Sequence, residues 1–300
     1  MRAALARHCS FGSTNDLRDE RVFQTAGAAI GTFRCPIGYP AFRDTGPTER
    51  CIVVFPRTAV WIRHEGSRPF LADPSLTTIY NAAQRYERFP HSPDGDRCDW
   101  FAVSDDLARE IVHMFDVAAA DSQRPFRFEW AASTTALYLR QRMLLRRAMA
   151  GELAQLEGEE AIMSIVAAVL AEAYGTGATG PIRKRSTGAR HRDLTGAARA
   201  ELMRTIESNR SVRDIAGSIG ASPYHLCRVF RACTGRTLHQ YRTELRLLLA
   251  LERLDDASAA SNLSAIAHDL GFSSHSHFVR AMRRQTGSTP SALRALLDPS

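Results

Sequence analysis

Cysteine, histidine and carboxylate side chains are the groups in this 300-residue chain that could bind a metal ion or attack a substrate. The six cysteines form no Cys-x-x-Cys pair and no spacing typical of a zinc site. His64 and His91 are isolated, with no His-x-His pattern. The chain also lacks a glycine-rich phosphate loop, a nucleophile elbow, a His-Glu-x-x-His motif and a paired-carboxylate constellation. The sequence therefore predicts neither an enzyme nor a bound metal or cofactor.

Arginine offers a different chemistry, because its guanidinium group can donate two hydrogen bonds to O6 and N7 of guanine. Arg228 and Arg280 occupy equivalent places in two copies of one pattern, over residues 215–235 and 266–287. The second copy has one extra residue just after its turn. A guanidinium group at this position could instead bind a backbone phosphate, which would position the protein on DNA without specifying a sequence.

Each copy of the pattern predicts two short helices packed across a tight turn. It has an alanine where the helices must approach closely, a glycine suited to a left-handed turn, and a serine that can cap the next helix. These residues are Ala216, Gly220 and Ser222 in the first copy and Ala267, Gly271 and Ser273 in the second. Gly235 and Gly287 stand where a helix end favours glycine. A plain αα-hairpin would share these features, but two copies in register favour a pair of helix-turn-helix modules.

Residues Leu238 to Leu254 predict one helix about 26 Å long between the two copies. Its leucines lie on several faces, which predicts burial between two bodies. The helix would hold the modules rigidly, and successive major grooves on one face of DNA lie about 34 Å apart. One monomer could therefore enter two adjacent grooves.

The distribution of charge agrees with a polyanionic partner for one part of the chain. Residues 181–300 hold 19 Lys and Arg against 10 Asp and Glu, whereas residues 1–180 hold 20 against 22. All of the basic excess therefore lies in the C-terminal two-fifths, with the repeated pattern.

Residues 197–297 resemble the DNA-binding domain of the AraC/XylS family of bacterial transcription regulators. The resemblance is most specific in the second copy, in Gly271-Phe-Ser-Ser-His-Ser-His-Phe278 and Thr289-Pro290-Ser291, although Met282 stands where the family usually has an aromatic residue. It implies a sequence-specific activator that binds double-stranded DNA and contacts RNA polymerase. The N-terminal part more loosely resembles the cupin-like β-roll sensor domains of that family. An effector-independent or architectural DNA-binding protein, or a redox-responsive regulator, remains an alternative.

The candidate DNA contacts are the side chains that lie off the inward stripe of each second helix. They are Tyr224, His225, Cys227, Arg228 and Arg231 in the first module and His275, Ser276, Val279, Arg280 and Arg283 in the second. The resemblance implies that Tyr224, Cys227, Arg228, His275, Ser276 and Arg280 face bases. Arg236, Arg283 and Arg284 are the better candidates for phosphate.

The predicted fold is multidomain, with a β-roll, following helices and an all-α domain of two helix-turn-helix modules joined by a long helix. Its parts are a β-roll sensor-like domain at 1–132, a helical segment at 133–178, a linker at 179–196 and the DNA-binding domain at 197–300. In the first part, Ile52–Phe55 and Val60–Ile62 predict a strand-turn-strand pair and Ser75–Tyr80 another strand. The linker is interpreted as a solvated tether, although its basic run could touch phosphates.

The signal received by the N-terminal part is open. Trp61, Tyr80, Trp100 and Phe101 could line an apolar pocket for a small-molecule effector or belong to an ordinary core. Cys98 beside Arg97 offers a redox alternative. A homodimer could form along apolar positions of the helical segment, which packing on the β-roll would explain equally: Leu137, Leu144, Leu145, Ile162, Val166 and Val169. No secretory signal or membrane span is recognisable, which predicts a cytoplasmic protein.

Overall fold

The computed structural model describes residues 16–175, 185–255 and 262–297. The strands are β1 (Arg18–Gln24), β2 (Ala28–Cys35), β3 (Cys51–Pro56), β4 (Val60–His64), β5 (Phe70–Ala72), β6 (Leu76–Tyr80), β7 (Tyr86–Pro90), β8 (Asp96–Val103) and β9 (Trp130–Ala132). The helices are α1 (Asp105–His113), α2 (Val117–Ala120), α3 (Thr135–Met149), α4 (Gln155–Gly175), α5 (Arg185–Arg204), α6 (Val212–Ser218), α7 (Pro223–Thr234), α8 (Leu238–Asp255), α9 (Leu263–Asp269), α10 (His275–Thr286) and α11 (Pro290–Leu297).

The strands form two antiparallel sheets. Six strands lie in the order β1-β2-β8-β3-β6-β9, and three lie in the order β5-β4-β7. Side chains alternate between the two faces of a strand, so strands of the larger sheet contribute to two clusters. On one face, Val54 and Cys98 pack in an apolar cluster with Val60 of the smaller sheet. Phe55 and Phe101 belong to a second cluster with α3 and α4. The predicted β-roll with following helices is confirmed.

Two details of the predicted N-terminal organisation, and part of the predicted linker, are wrong. The strands on either side of Arg57 do not pair with each other, because β3 belongs to the larger sheet and β4 to the smaller. Helices α1 and α2 interrupt the stretch predicted as β, and Ser104 caps α1 by accepting a hydrogen bond from the amide of Leu107 at 3.4 Å. Residues 185–196 of the predicted linker are the first part of α5; the preceding residues, 176–184, lie outside the described ranges.

The apolar core of the N-terminal part continues into the C-terminal helices. Tyr138 of α3 packs edge-on against Phe55 at 6.4 Å between ring centroids, and the same cluster includes Leu251 of α8 and Phe278 of α10. A separate cluster joins α5, α6, α7 and the first half of α8. The second helix-turn-helix module therefore shares its core with α3 and α4, whereas the first module has a core of its own.

No described helix is long and apolar enough to cross a membrane. The six apolar positions considered for a dimer seam are all buried within the monomer, at 8% exposure or less. They pack in the core formed by the sheet, α3 and α4. The structure thus favours the second interpretation of those residues, packing on the β-roll.

His64 is expected to make the stability of the chain fall in mild acid. It is 2% exposed, its ring lies 4.6 Å from that of Tyr80, and neither ring nitrogen has a hydrogen-bond partner among the described residues. Burial lowers the pKa of His64 from 6.5 to about 4. Between these two values the unfolded chain binds more protons, so the free energy of unfolding decreases as the pH falls, by about 2–3 kcal/mol at pH 4.5.

Urea unfolding of the wild type and of His64→Phe at pH 7 and pH 4.5 measures this contribution. The phenylalanine keeps an aromatic ring between Phe70 and Tyr80 but cannot titrate, so its loss of stability on acidification should be smaller by that amount. His113 is exposed, and His113→Gln is the matched control. Equal acid sensitivity of His64→Phe and the wild type would contradict the assignment.

Candidate nucleic-acid interface

The turn and the caps of the first module fold as its sequence requires. Gly220 adopts φ +67° in the turn before α7, a conformation in which a side chain is strained. Ser222 caps α7 by accepting a hydrogen bond from the amide of His225, and Pro223 occupies the first helical position. Gly235 ends the helix at φ +70°. The predicted turn, N-cap and C-cap of this module are confirmed.

The second module differs from the first at its cap. Gly271 has φ +73° and Gly287 has φ +75°, as predicted, but Ser274 rather than Ser273 caps α10. The hydroxyl of Ser273 lies 3.0 Å from Nδ1 of His277 instead. The extra residue after the turn moves the start of the helix by one position, which explains the error.

Each second helix buries one face and presents the other to solvent. The inward residues are Leu226, Val229 and Phe230 on α7 and Phe278, Ala281 and Met282 on α10. Nearly all of the candidate contacts are exposed, namely Tyr224, Cys227, Arg228, Arg231, His275, Ser276, Arg280 and Arg283. The other two, His225 and Val279, are half-buried. The structure thus brings the first five together on α7 and the other five on α10.

Four of these positions carry guanidinium groups that are available to an external anion. Within the described residues, no carboxylate forms an ion pair with any of Arg228, Arg231, Arg280 and Arg283. Arg236 differs, because it lies 2.6 Å from Glu244 and is only 22% exposed. This internal ion pair favours a structural role for Arg236, and its contact with DNA phosphate stays a prediction.

The beginning of α5, predicted as part of the linker, adds basic residues beside α7. The ring of His191 lies 5.9 Å from that of His225, edge to face, so this part of α5 lies next to the start of α7. Arg190 and Arg192 are exposed on either side of His191. The spacing of Leu194, Ala198 and Leu202 is the signal that could have extended the helix prediction toward residue 185.

The two modules are joined by α8 and also by side-chain contacts across their boundary. Arg246, 5% exposed, donates hydrogen bonds to the carbonyl oxygens of Ile206 at 2.8 Å and Ser208 at 3.1 Å. Burial and the neighbouring Arg242 lower the pKa of Arg246 to about 10. The same guanidinium lies against Gly271 in the turn of the second module. The end of α5, α8 and the second turn therefore pack together in one joint between the modules.

The C-terminal end of α8 is held against the N-terminal part by buried ions. Asp255, 6% exposed, accepts from Arg57 at 3.2 Å, from Nε of Arg146 at 2.8 Å and from Arg142. Glu252 accepts from Nε of Arg57 at 2.6 Å. Burial alone would lower the pKa of Arg57, but nearby carboxylates, above all that of Glu252, outweigh this and raise it.

A second anchor ties α5 and α8 to the smaller sheet. Arg199 donates hydrogen bonds to Asp73 at 3.0 Å, to the carbonyl oxygen of Leu71 at 3.0 Å and to the hydroxyl of Tyr241 at 2.6 Å. Burial raises the pKa of Tyr241 to about 12, so this hydroxyl stays protonated. The DNA-binding helices are thus docked on the N-terminal part at two places.

The four aromatic residues considered for an effector pocket are not gathered in one site. Phe101 packs on Phe55 at 5.6 Å in the core beneath the larger sheet, and Trp100 donates a hydrogen bond to Asp19 at 3.0 Å. Tyr80 lies between the sheets, and Trp61 packs edge-on against His91 at 6.3 Å between ring centroids. These contacts favour the alternative interpretation, in which each ring belongs to the ordinary core, and a shared effector pocket stays a prediction.

The three described cysteines of the N-terminal part do not favour a redox switch. Cys35, Cys51 and Cys98 are buried, and burial raises the pKa of each thiol, most strongly that of Cys98. Thiolate, the reactive form, is therefore disfavoured at neutral pH. No group of three or more potential metal ligands occurs in the described ranges.

Comparison with known proteins places the C-terminal part of the chain in a family. Residues 215–295 match a family model described as a helix-turn-helix domain. The chain is 37% identical over 89 residues to the regulatory protein SoxS of Escherichia coli K12, which covers 30% of this chain and 81% of SoxS. It is 35% identical over 80 residues to the probable transcription factor PqrA of Proteus vulgaris, covering 27% of this chain and 64% of PqrA.

Two solved structures are also similar. One is a transcriptional regulator from Chromobacterium violaceum that is described as having an AraC-type DNA-binding domain. It is 30% identical to this chain, the match covers 37% of this chain and 99% of the regulator, and the TM-score is 0.34. ToxT from Vibrio cholerae O395 is 10% identical, with coverage of 92% and 100% and a TM-score of 0.36. The match to SoxS, together with the paired modules, shows that this chain belongs to the AraC/XylS family of DNA-binding transcription regulators.

Proposed function

We propose that one monomer binds two adjacent major grooves of an asymmetric DNA site, with α7 in one groove and α10 in the next. The observation that carries this proposal is the packed joint of α5, α8 and the Gly271 turn between two exposed recognition faces. α8 has 18 residues, hence a length of about 27 Å, comparable with the 34 Å between grooves. The same geometry makes a second copy of the chain unnecessary for binding.

The proposed base contacts are those of the exposed α7 and α10 faces. Arg228 and Arg280 are assigned to guanine, His275 and Ser276 to less selective hydrogen bonds, and Val279 to a thymine methyl group. Arg283 and Arg284 are assigned to phosphate, joined by Arg190 and Arg192 at the start of α5. The N-terminal part, residues 16–132, is assigned to receiving a signal, and RNA polymerase is the proposed partner in activation.

DNA selection and footprinting test the two-groove arrangement. The full chain is used to select bound duplexes from a random pool, and the selected site is then footprinted. Two protected segments about 10 base pairs apart on one face are expected. A single protected segment, or equal binding to unrelated sequences, would exclude the proposed arrangement.

Arg280→Ala is expected to weaken binding to the selected site by about 1–3 kcal/mol and to relax the preference at one base pair. The reason is the loss of a bidentate contact to one guanine. Affinities are measured over a salt series for this variant and for Arg124→Ala, a matched change of an exposed arginine in the N-terminal part. An equal loss on every sequence with a shallower salt dependence would reassign Arg280 to phosphate.

A further inference from the structure

An arginine-rich crevice lies between the N-terminal part and the end of α8. Its volume is about 310 Å³, and strands β1, β2 and β8, helix α3 and Asp255 line it. Six guanidinium groups contribute to the lining, from Arg18, Arg34, Arg57, Arg97, Arg142 and Arg146, against three carboxylates, from Glu20, Asp99 and Asp255. The walls therefore carry three more positive charges than negative ones, unlike the N-terminal part as a whole.

Part of this cationic surface has no internal partner. Within the described residues, neither Arg34 nor Arg97 forms an ion pair with a carboxylate. Arg142 is 3% exposed, yet its Nε donates to no acceptor there. A buried donor without a partner is costly, and an acceptor oxygen that enters the crevice would relieve it. Arginine side chains also match the geometry of carboxylate and phosphate groups.

The six arginines and Asp255, whose carboxylate pairs with Arg57, Arg142 and Arg146, come from different parts of the chain. All six guanidinium groups belong to the strands, the turn after β3 and helix α3. Asp255 is the last described residue of α8, which carries the helix-turn-helix modules. Its carboxylate therefore acts as an internal ligand that docks the DNA-binding helices on the arginines.

We infer that this crevice binds a small polyanion bearing carboxylate or phosphate groups, which competes with Asp255 for Arg57, Arg142 and Arg146. The inference rests on the proposed role of the N-terminal part as signal receiver and names the chemical class of the signal. Because ligand and Asp255 use the same donors, the ligand binds more tightly to the undocked chain and shifts the population toward it.

Calorimetric titration of the full chain without DNA tests the site, with citrate as the carboxylate probe and pyrophosphate as the phosphate probe. Sodium chloride keeps the ionic strength constant. Arg34→Gln and Arg97→Gln remove unpaired guanidinium groups and leave the Asp255 pairs intact, so each should weaken binding by about fivefold. Asp255→Asn removes the competing charge and should tighten binding by about tenfold. Arg124→Gln is the matched control and should bind as the wild type does.

The site is supported if either probe binds the wild type and the variants shift its affinity as stated. The probe that binds more tightly shows whether the ligand carries carboxylate or phosphate groups. The inference is overturned if neither probe binds, if Arg124→Gln weakens binding as much as Arg97→Gln does, or if Asp255→Asn folds but does not tighten binding. Should Asp255→Asn fail to fold, Arg34→Gln and Arg97→Gln still decide. Because DNA is absent, these results are independent of footprinting: a chain that binds the probe but no specific DNA would refute the proposed function alone.

Discussion

Replacing Arg142 with alanine is expected to lower the free energy of unfolding by about 3–5 kcal/mol. This guanidinium group lies 2.5 Å from Asp99, which is fully buried, and also binds Asp255. Oδ1 of Asp99 already lacks a partner among the described residues. Without Arg142, the carboxylate of Asp99 would remain buried and uncompensated, and the large cost comes from this unpaired charge.

Urea unfolding at neutral pH measures the loss, and two further variants show its origin. Arg146→Ala removes a more exposed arginine, 22% exposed, from a carboxylate that keeps two other guanidinium partners. It should cost only about 1 kcal/mol. Combining Arg142→Met with Asp99→Asn removes the buried charge as well as its partner and should recover most of the stability. A loss no larger than that of Arg146→Ala would contradict the assignment of the cost to the unpaired carboxylate of Asp99.

The local features of the DNA-binding modules could be predicted because each depends on a few adjacent residues. The left-handed turns at Gly220 and Gly271 and the glycine C-caps follow from the backbone freedom of glycine alone. The extent of α8 follows in the same way from its run of leucines. The exception is the cap at Ser274, which one inserted residue displaced from the predicted Ser273.

The contacts between distant parts of the chain could not be predicted, because no local pattern specifies them. The sequence predicts Arg57 as a turn residue between two paired strands. In the structure it lies between strands of different sheets and pairs with Glu252, 195 positions later. Asp255 is one of several acidic residues near the end of a helix, and only the fold surrounds it with three arginines. A single sequence records neither pairing.

The linker prediction failed over residues 185–196 for a related reason. Glycine and basic residues before residue 190 are typical of an exposed tether, but Asp193, Leu194 and Arg199 all have partners in three dimensions. Arg199 reaches Asp73, and Asp193 lies 2.7 Å from Arg68. These contacts stabilise a helix whose own propensity is weak, since tertiary packing overrides local preference. Because this segment is helical, Arg190 and Arg192 lie beside α7, where they can contribute to a DNA interface.

Two glycines that look equivalent in the sequence should respond very differently to substitution by alanine. Gly220 and Gly271 both have positive φ, so alanine costs about 1–2 kcal/mol at either position. A Cβ at Gly220 would meet no atom within 4 Å, whereas at Gly271 it would overlap the carbonyl oxygen of Glu207 and the guanidinium of Arg246. Since backbone cannot move aside cheaply, Gly271→Ala should cost a further 1–3 kcal/mol, about 2–5 kcal/mol in all.

The same pair of variants tests whether the joint between the modules matters for DNA binding. Gly271→Ala must separate the second turn from the end of α5, so the variant should lose affinity for the two-groove site even where it remains folded. Gly220→Ala strains only its own turn, and its folded fraction should bind nearly as the wild type does. Urea unfolding gives the two stabilities, and footprinting at matched folded concentration gives the two affinities. Equal losses in both measurements would mean that the contact at Gly271 does not help α8 to set the spacing of the modules.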